Sequence, residues 1–234
     1  MTEALRAHPL FKSLTSAQTH TLLAASHIQN VEKDQLLFLQ DEESKCLYLV
    51  LSGYIKLFRE TAHGAEAILN IAGPGTLFCE TALFSHKKHP FSAQVAQPAE
   101  IMTIPYAVIE PLILTDPAFA RAMLESMTAA RHAQDKEIEH RTLQSTAQRI
   151  GCFILRLGRP MATGPQTIQL PYDKTLIAAR LGMQPETFSR GLNRLRDDMG
   201  LGVQGSVITI PDTQNLHRYC CTGCSSNFPC TDMR

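Results

Sequence analysis

The stretch Ala178–Leu195, AARLGMQPETFSRGLNRL, reads as a short helix, a tight turn and a second helix. Ala178 stands four residues before Gly182. A small residue in the first helix lets the second pack closely, and a glycine starts the turn, which is the demand of a helix-turn-helix. Pro185 opens the second helix, because proline loses nothing at a first helical position. Ile177, Leu181, Phe188, Leu192 and Leu195 form the internal face. Gln184, Glu186, Thr187, Ser189 and Arg190 then occupy the N-terminal half, the part of such a helix that enters a major groove. An arginine can grip guanine O6 and N7, a glutamate can accept from cytosine N4, and a serine can serve a neighbouring base. Arg194 and Arg196, further along, suit phosphates, which position without specifying. Gly191 is off pattern, since a branched apolar residue is common there and glycine costs up to about 1 kcal/mol of helix propensity against alanine. The plainer alternative is a surface helix with a Glu186–Arg190 pair at i, i+4, adding a few tenths of a kcal/mol.

Outward from this stretch, TIQLP before it and GSVITIPD after it read as short strands, giving the outline of a winged helix-turn-helix. Upstream, Asp116 to Leu157 runs without Pro or Gly before Gly151 and reads as one long helix. Phe119, Met123, Met127, Ala130, Gln134, Ile138 and Arg141 recur at three- and four-residue steps, roughly a heptad seam that Gln134 and Arg141 interrupt. A paired helix and a homodimer follow from that reading; the alternative is a helix lying on its own domain. Before it, from Asn30 to about Ile104, short apolar runs (QLLFLQ, CLYLVLSG, YIKLFRE, EAILNIAGPG, FSAQVAQP, EIMTIP) alternate with the turn signals DEES, SG, HG and GPG. That spacing indicates an antiparallel β-roll. Residues 9–29 have helical periodicity, with Thr15 or Ser16 as N-cap. The fold class is therefore α+β. Residues 1–115 form a β-roll domain, 116–144 a dimerisation helix, 145–219 a winged helix-turn-helix domain and 220–234 a cysteine-containing tail.

The chain has 234 residues and no net charge, but the zero is uneven. Residues 1–144 hold 12 Lys+Arg against 16 Asp+Glu, and residues 145–219 hold 9 against 5. A basic second domain suits a polyanion such as double-stranded DNA, although so small an excess also arises by chance. No apolar run approaches the roughly 18 residues of a membrane span. The N-terminus lacks the apolar core of a signal peptide, so a cytoplasmic protein without membrane contact is expected. No phosphate-binding glycine loop, nucleophile elbow or HExxH motif occurs, and an enzyme is not expected. Cys46, Cys79 and Cys152 stand in apolar surroundings and read as small buried hydrophobes. Cys220, Cys221, Cys224 and Cys230 crowd the tail, where metal or redox chemistry competes with an exposed segment without structural role.

The motifs YLVLSGYIKLF, GPGTLFCETALF with FSAQV following, STAQRIGCFILRL and PETFSRGLNRL, in this order, resemble the CRP/FNR family of bacterial transcription regulators. The resemblance covers roughly residues 8–216. It implies a cyclic-nucleotide-binding-like β-roll, a dimerisation helix, a C-terminal winged helix-turn-helix, RNA polymerase as a partner, and activation of transcription under a small effector. Family members that bind cyclic nucleotides carry F-G-E and, about ten residues on, R-S/T-A. The effector pocket of this sequence maps to Phe78, Cys79, Glu80 and Thr81 with Phe91, Ser92 and Ala93. Cys79 replaces the glycine, Phe91 replaces the arginine, and Gln134 and Asp135 stand where hydroxyls would contact adenine. An unneutralised buried phosphate costs several kcal/mol, so cyclic AMP is not expected. A flat hydrophobic ligand beside Phe78, Leu83 and Phe91 is. The E-x-x-S-R pattern of Glu186, Ser189 and Arg190 resembles the FNR side, implying inverted TTGAT or TTGAC half-sites. The first 45 residues hold no cysteine, so an N-terminal iron–sulfur cluster is not expected. The outline resembles the DNR/NNR branch, which implies nitric oxide sensed through haem. Among His63, His86, His89 and His132, the last is the most suggestive ligand, and His86 and His89, flanking two lysines, read as a solvated loop. A cyclic-nucleotide-responsive regulator and a ligand-binding module without DNA function are the alternatives.

Overall fold

The computed structural model describes residues 5, 6, 8–158 and 164–225, so Cys230 and most of the loop at 158–166 lie outside the described residues. The chain divides into two compact units, Met1–Ala130 and Arg131–Arg234.

The first unit begins with a 3₁₀ turn at Pro9–Phe11 and helix α1, Ser16–Ala25. Thr15 and Gln18 cap α1 reciprocally, side chain to backbone in both directions. The helix is shorter than its periodicity predicts, because His27–Gln29 belong to a strand. Strands β1 (His27–Val31), β2 (Leu36–Phe38), β3 (Cys46–Glu60), β4 (Glu66–Ala72), β5 (Leu77–Phe78) and β6 (Ser92–Pro105) form one antiparallel sheet. Its path is β1-β6-β3-β4, with β2 on β6 and β5 on β3. The Ser52–Gly53 turn signal is not a turn. It is a bulge inside the fifteen-residue strand β3. Gly53 takes φ +75°, and a Cβ there would fall 2.2 Å from the Pro98 carbonyl oxygen, so the strand bends only because the side chain is absent.

Period-2 alternation sends the two faces of the sheet to different cores. Leu47, Leu49, Met102 and Ile104 pack with Leu22, Ile109, Phe119 and Met123 beneath the helices. Val50, Ile55, Leu57, Ala93, Val95 and Ile101 pack with Phe38, Phe78 and Cys79 inside the roll. Short helix α2, Glu80–Phe84, joins β5 toward β6, and α3, Tyr106–Thr115, follows β6. Helix α3 therefore starts before Pro111 rather than after it, the proline being tolerated within it.

The single long helix expected from Asp116 to Leu157 is two. Helix α4, Pro117–Leu143, ends before Ser145, which caps α5, Thr146–Leu157, in a box with Gln148. The break carries no Pro or Gly; the signal was the S-x-x-Q capping pattern inside STAQ. Phe119 and Met123 of the expected seam are buried in the first unit's own core, Met123 to 1 % exposure. The large apolar side chains that α4 leaves in solvent are Leu124, 67 % exposed, Ile138, 62 % exposed, and Leu143, 61 % exposed at its last residue.

The second unit holds β7 (Gln166–Gln169), α6 (Lys174–Arg180), α7 (Pro185–Met199), β8 (Gly202–Gln204), β9 (Val207–Ile210) and α8 (Thr213–Cys221). The three strands form a sheet of order β7-β9-β8, and β8–β9 is a hairpin closed by Gly205 and Ser206. Asp173 and Asp212 cap α6 and α8 through their side chains. Helix α8 extends the domain into the sequence assigned to the tail: Cys220 is buried, and Cys221 is the last residue of the helix.

Candidate nucleic-acid interface and effector site

Helices α6 and α7 meet through Gly182, which takes φ +62° at the turn. The internal face is as the periodicity requires: Ile177, Ala178, Leu181, Phe188, Leu192 and Leu195 are all buried. Gly191 has a packing reason. A Cβ there would fall 2.7 Å from Ile150 Cδ1 and 2.8 Å from Thr146 Cγ2, so only glycine lets α7 lie this close to α5. The position that costs helix propensity is the one that seats the helix. Arg180, the last residue of α6, donates to Glu137 at 3.2 Å, and Arg141 contacts the same carboxylate at 3.4 Å. Burial works to raise the Glu137 carboxyl, but the two guanidinium groups overcome it and hold it below the ordinary range. The helix pair is thereby tied to the C-terminal half of α4.

The polar residues of α7 lie on the opposite side. Gln184, the N-cap residue, and Glu186, Ser189, Arg190 and Arg194 are exposed, while Thr187 is half-buried. Arg190 donates to Thr187 Oγ1 at 3.4 Å. No ion pair joins it to Glu186 among the described residues. Arg194 pairs with Asp198 at 3.3 Å and Arg196 with Asp197 at 3.2 Å, both in solvent. One exposed strip of the helix thus carries a carboxylate, a hydroxyl and a guanidinium.

The residues mapped to the effector site do come together, but as a packed cluster. Phe78 stacks on Tyr48 with centroids 5.1 Å apart, and Phe38 stacks on His89 at 3.6 Å. Phe91, half-buried, leans on Phe38 at 6.4 Å. His89 is not in a solvated loop: it is 3 % exposed, and its Nδ1 lies 3.5 Å from Cys79 Sγ. Burial lowers the His89 pKa, with Glu42 opposing in part. The polar run K-K-H-P gives no sign of this, because both lysines are exposed while the histidine turns in. Cys79 is more than a small hydrophobe. It keeps the left-handed backbone of the glycine it replaces, φ +69°, despite its Cβ. Its carbonyl accepts from Tyr106 Oη at 2.8 Å, and Tyr106 is in turn hydrogen-bonded with Ser44 at 2.7 Å. Cys46, by contrast, is only half-buried.

Glu80 is half-buried at the first turn of α2, and burial pushes its carboxyl above the ordinary range. Thr81 is exposed. Ser92 Oγ accepts from the Gln40 amide at 3.0 Å, and Ala93 is core. Leu83 packs under the helices, in a different cluster from Phe78. Two cations of this region face outward, Lys87 pairing with Glu110 at 2.7 Å and Arg59 donating to the Pro90 carbonyl at 2.9 Å, while half-buried Lys56 is held by Glu66 at 2.7 Å. His63, His86 and His132 are exposed. Among the described residues no group of three or more His, Cys, Asp or Glu could hold a metal ion, and no helix is long and apolar enough to cross a membrane.

The Cyclic nucleotide-binding domain family matches residues 28–116, and the Crp-like helix-turn-helix domain family matches residues 148–219. A solved structure from Ruegeria pomeroyi, assigned to cyclic nucleotide binding, is 33% identical. It covers 93% of this chain and 97% of its own, with TM-score 0.67. The structure of DNR from Pseudomonas aeruginosa is 29% identical over 93% of this chain and 96% of its own, with TM-score 0.52. The Fumarate and nitrate reduction regulatory protein of Escherichia coli is 29% identical over 80% of this chain and 75% of its own length. Two domains in this order, a whole-chain likeness and a reading helix with its polar strip exposed agree: the chain belongs to the CRP/FNR family of DNA-binding transcription regulators.

Proposed function

We propose that the protein binds, as a homodimer, a palindromic FNR-like DNA site with TTGAT or TTGAC half-sites, and that a small effector acting on the β-roll controls it in concert with RNA polymerase. The observation that carries the reading is the exposed strip Gln184, Glu186, Ser189, Arg190 on a helix whose opposite face is fully packed. Arg190 reads a guanine and Glu186 a cytosine; Arg194 turns from Asp198 to a phosphate. Pairing of two α4 helices through Leu124 and Ile138, two heptads apart, supplies the two-fold axis that a palindrome mirrors. Fluorescence anisotropy tests this. A duplex with two inverted half-sites about one helical turn apart should bind two chains, and should bind far better than a duplex with one half-site or a scrambled one. Equal affinity for all three would leave a protein that does not read this site.

The effector is not a cyclic nucleotide in this reading, since Phe91, with the nearby cations facing outward or held by Glu66, leaves a cyclic phosphate without a charged partner. Haem is not part of the proposal either, because the residues do not fit it: the buried histidine of the roll is stacked on Phe38 and contacts Cys79 through Nδ1, and His63, His86 and His132 are exposed. An effector that parts the Phe38–His89 stack is the kind this interior admits.

A further inference from the structure

The segment Cys221-Thr222-Gly223-Cys224 has no place in DNA reading or in the roll. It is a hydrogen-bonded turn at the end of α8, with the Cys224 amide donating to the Cys221 carbonyl at 3.2 Å. A four-residue turn of this kind brings its first and last Cα within about 7 Å. A disulfide spans about 4.4–6.8 Å between Cα atoms, a range that overlaps the separation such a turn allows. Gln148 fastens the turn by donating to Thr222 Oγ1 at 2.8 Å and to the Tyr219 carbonyl at 3.1 Å. Both cysteines are half-buried, within reach of a small reagent.

The two sulfurs have different surroundings. Cys224 Sγ lies 3.4 Å from His140 Nε2 and receives Lys136 Nζ at 3.9 Å. His140 is 7 % exposed, and Lys136 is fixed by Glu139 at 2.9 Å and Ser225 Oγ at 3.0 Å. A sulfur beside a lysine and a histidine is the setting in which thiols act as nucleophiles. Cys220, next in sequence, is sealed in the core, and burial pushes its thiol up, so the neighbouring cysteine is inert.

We propose that Cys221 and Cys224 are a redox-active pair that exchanges with low-molecular-weight disulfides such as oxidised glutathione. The Cys224 thiolate attacks one sulfur of the reagent, forming a mixed disulfide and releasing one thiolate. The Cys221 thiolate then attacks Cys224 Sγ, forming the Cys221–Cys224 bond and releasing the second thiolate. The pair loses two electrons and two protons, and the reagent is reduced to two thiols.

The test uses the full reduced chain, its C230S form, and oxidised glutathione. Tandem mass spectrometry of the peptide Tyr219–Arg234 is expected to show loss of two hydrogens with the bond between Cys221 and Cys224, in both chains. C221S is expected to accumulate glutathione on Cys224, and C224S to leave the peptide unmodified. K136Q should slow mixed-disulfide formation by about tenfold, with circular dichroism unchanged. A bond from Cys224 to Cys230, glutathione on Cys221 in preference to Cys224, or a K136Q rate equal to wild type would overturn the proposal. So would one zinc per chain, retained through dialysis and blocking the reaction.

Discussion

Cys79 shows how a residue can abandon a family's chemistry and keep its geometry. The φ of +69° costs an L-residue about 1–2 kcal/mol, and glycine pays almost none of it. The cysteine is held there by its contact with His89 and by Tyr106 on its carbonyl. C79A keeps the strained backbone and loses the sulfur, whereas C79G loses more atoms and relieves the strain. C79G is therefore expected to be more stable than C79A by about 1 kcal/mol in urea denaturation; the reverse order would mean that the turn is not strained. His89 gives a pH signature. Its folded pKa is lowered by burial, so below about 6.5 the unfolded chain takes up a proton that the folded roll refuses. Stability falls with pH in that window until the folded histidine also titrates. H89F is expected to flatten the decline between about pH 6.5 and 5 relative to wild type, and an unchanged slope would mean that His89 is not buried neutral. The sequence disclosed the replacements at Cys79 and Phe91. It could not disclose His89, whose inward turn depends on Phe38 arriving from fifty-one residues upstream.

At the scale of elements, periodicity served best where one helix met one core. All five predicted internal residues of α6 and α7 are buried, and Gly191, which looked like a penalty, is a contact. Periodicity failed where two surfaces competed for the same stripe. The seam on α4 runs through Phe119 and Met123, but the first unit's own core claims them. The stripe is there, but its N-terminal part packs inside the first unit, because an apolar stripe does not say which surface it meets. The same limit hid the break at Ser145, where capping chemistry, not a breaker residue, divides α4 from α5. A test of dimerisation must therefore avoid Met123, where a charge would unfold the domain. L124E with I138E places charges on the exposed stripe only. Sedimentation should show the variant shifted toward monomer with its circular dichroism retained, and palindrome affinity should fall with it; an unchanged dimer would place the interface elsewhere.

At the scale of the whole molecule, family membership fixes the fold and the DNA-binding domain, but the effector has to be read from the interior. The matched domain is named for cyclic nucleotides, yet the position that the resemblance gives to the phosphate-neutralising arginine holds Phe91, and Phe38 stacks on His89 and Phe78 on Tyr48 within the roll. Calorimetry of the purified protein with cyclic AMP should show no binding at micromolar ligand, about −8 kcal/mol in affinity; binding at that level would restore the nucleotide reading.

The central claim is that α7 reads base edges, and Arg190 tests it most directly. Anisotropy titrations of wild type and R190A would be run on the palindromic duplex and on duplexes with each half-site base pair exchanged in turn. The loss for R190A on the palindrome is expected to be about 1–3 kcal/mol, with wild-type discrimination at the half-site guanine abolished and that at the other positions retained. Weakening by the same factor on every duplex, with the guanine preference intact, would make Arg190 a phosphate contact and contradict the assignment.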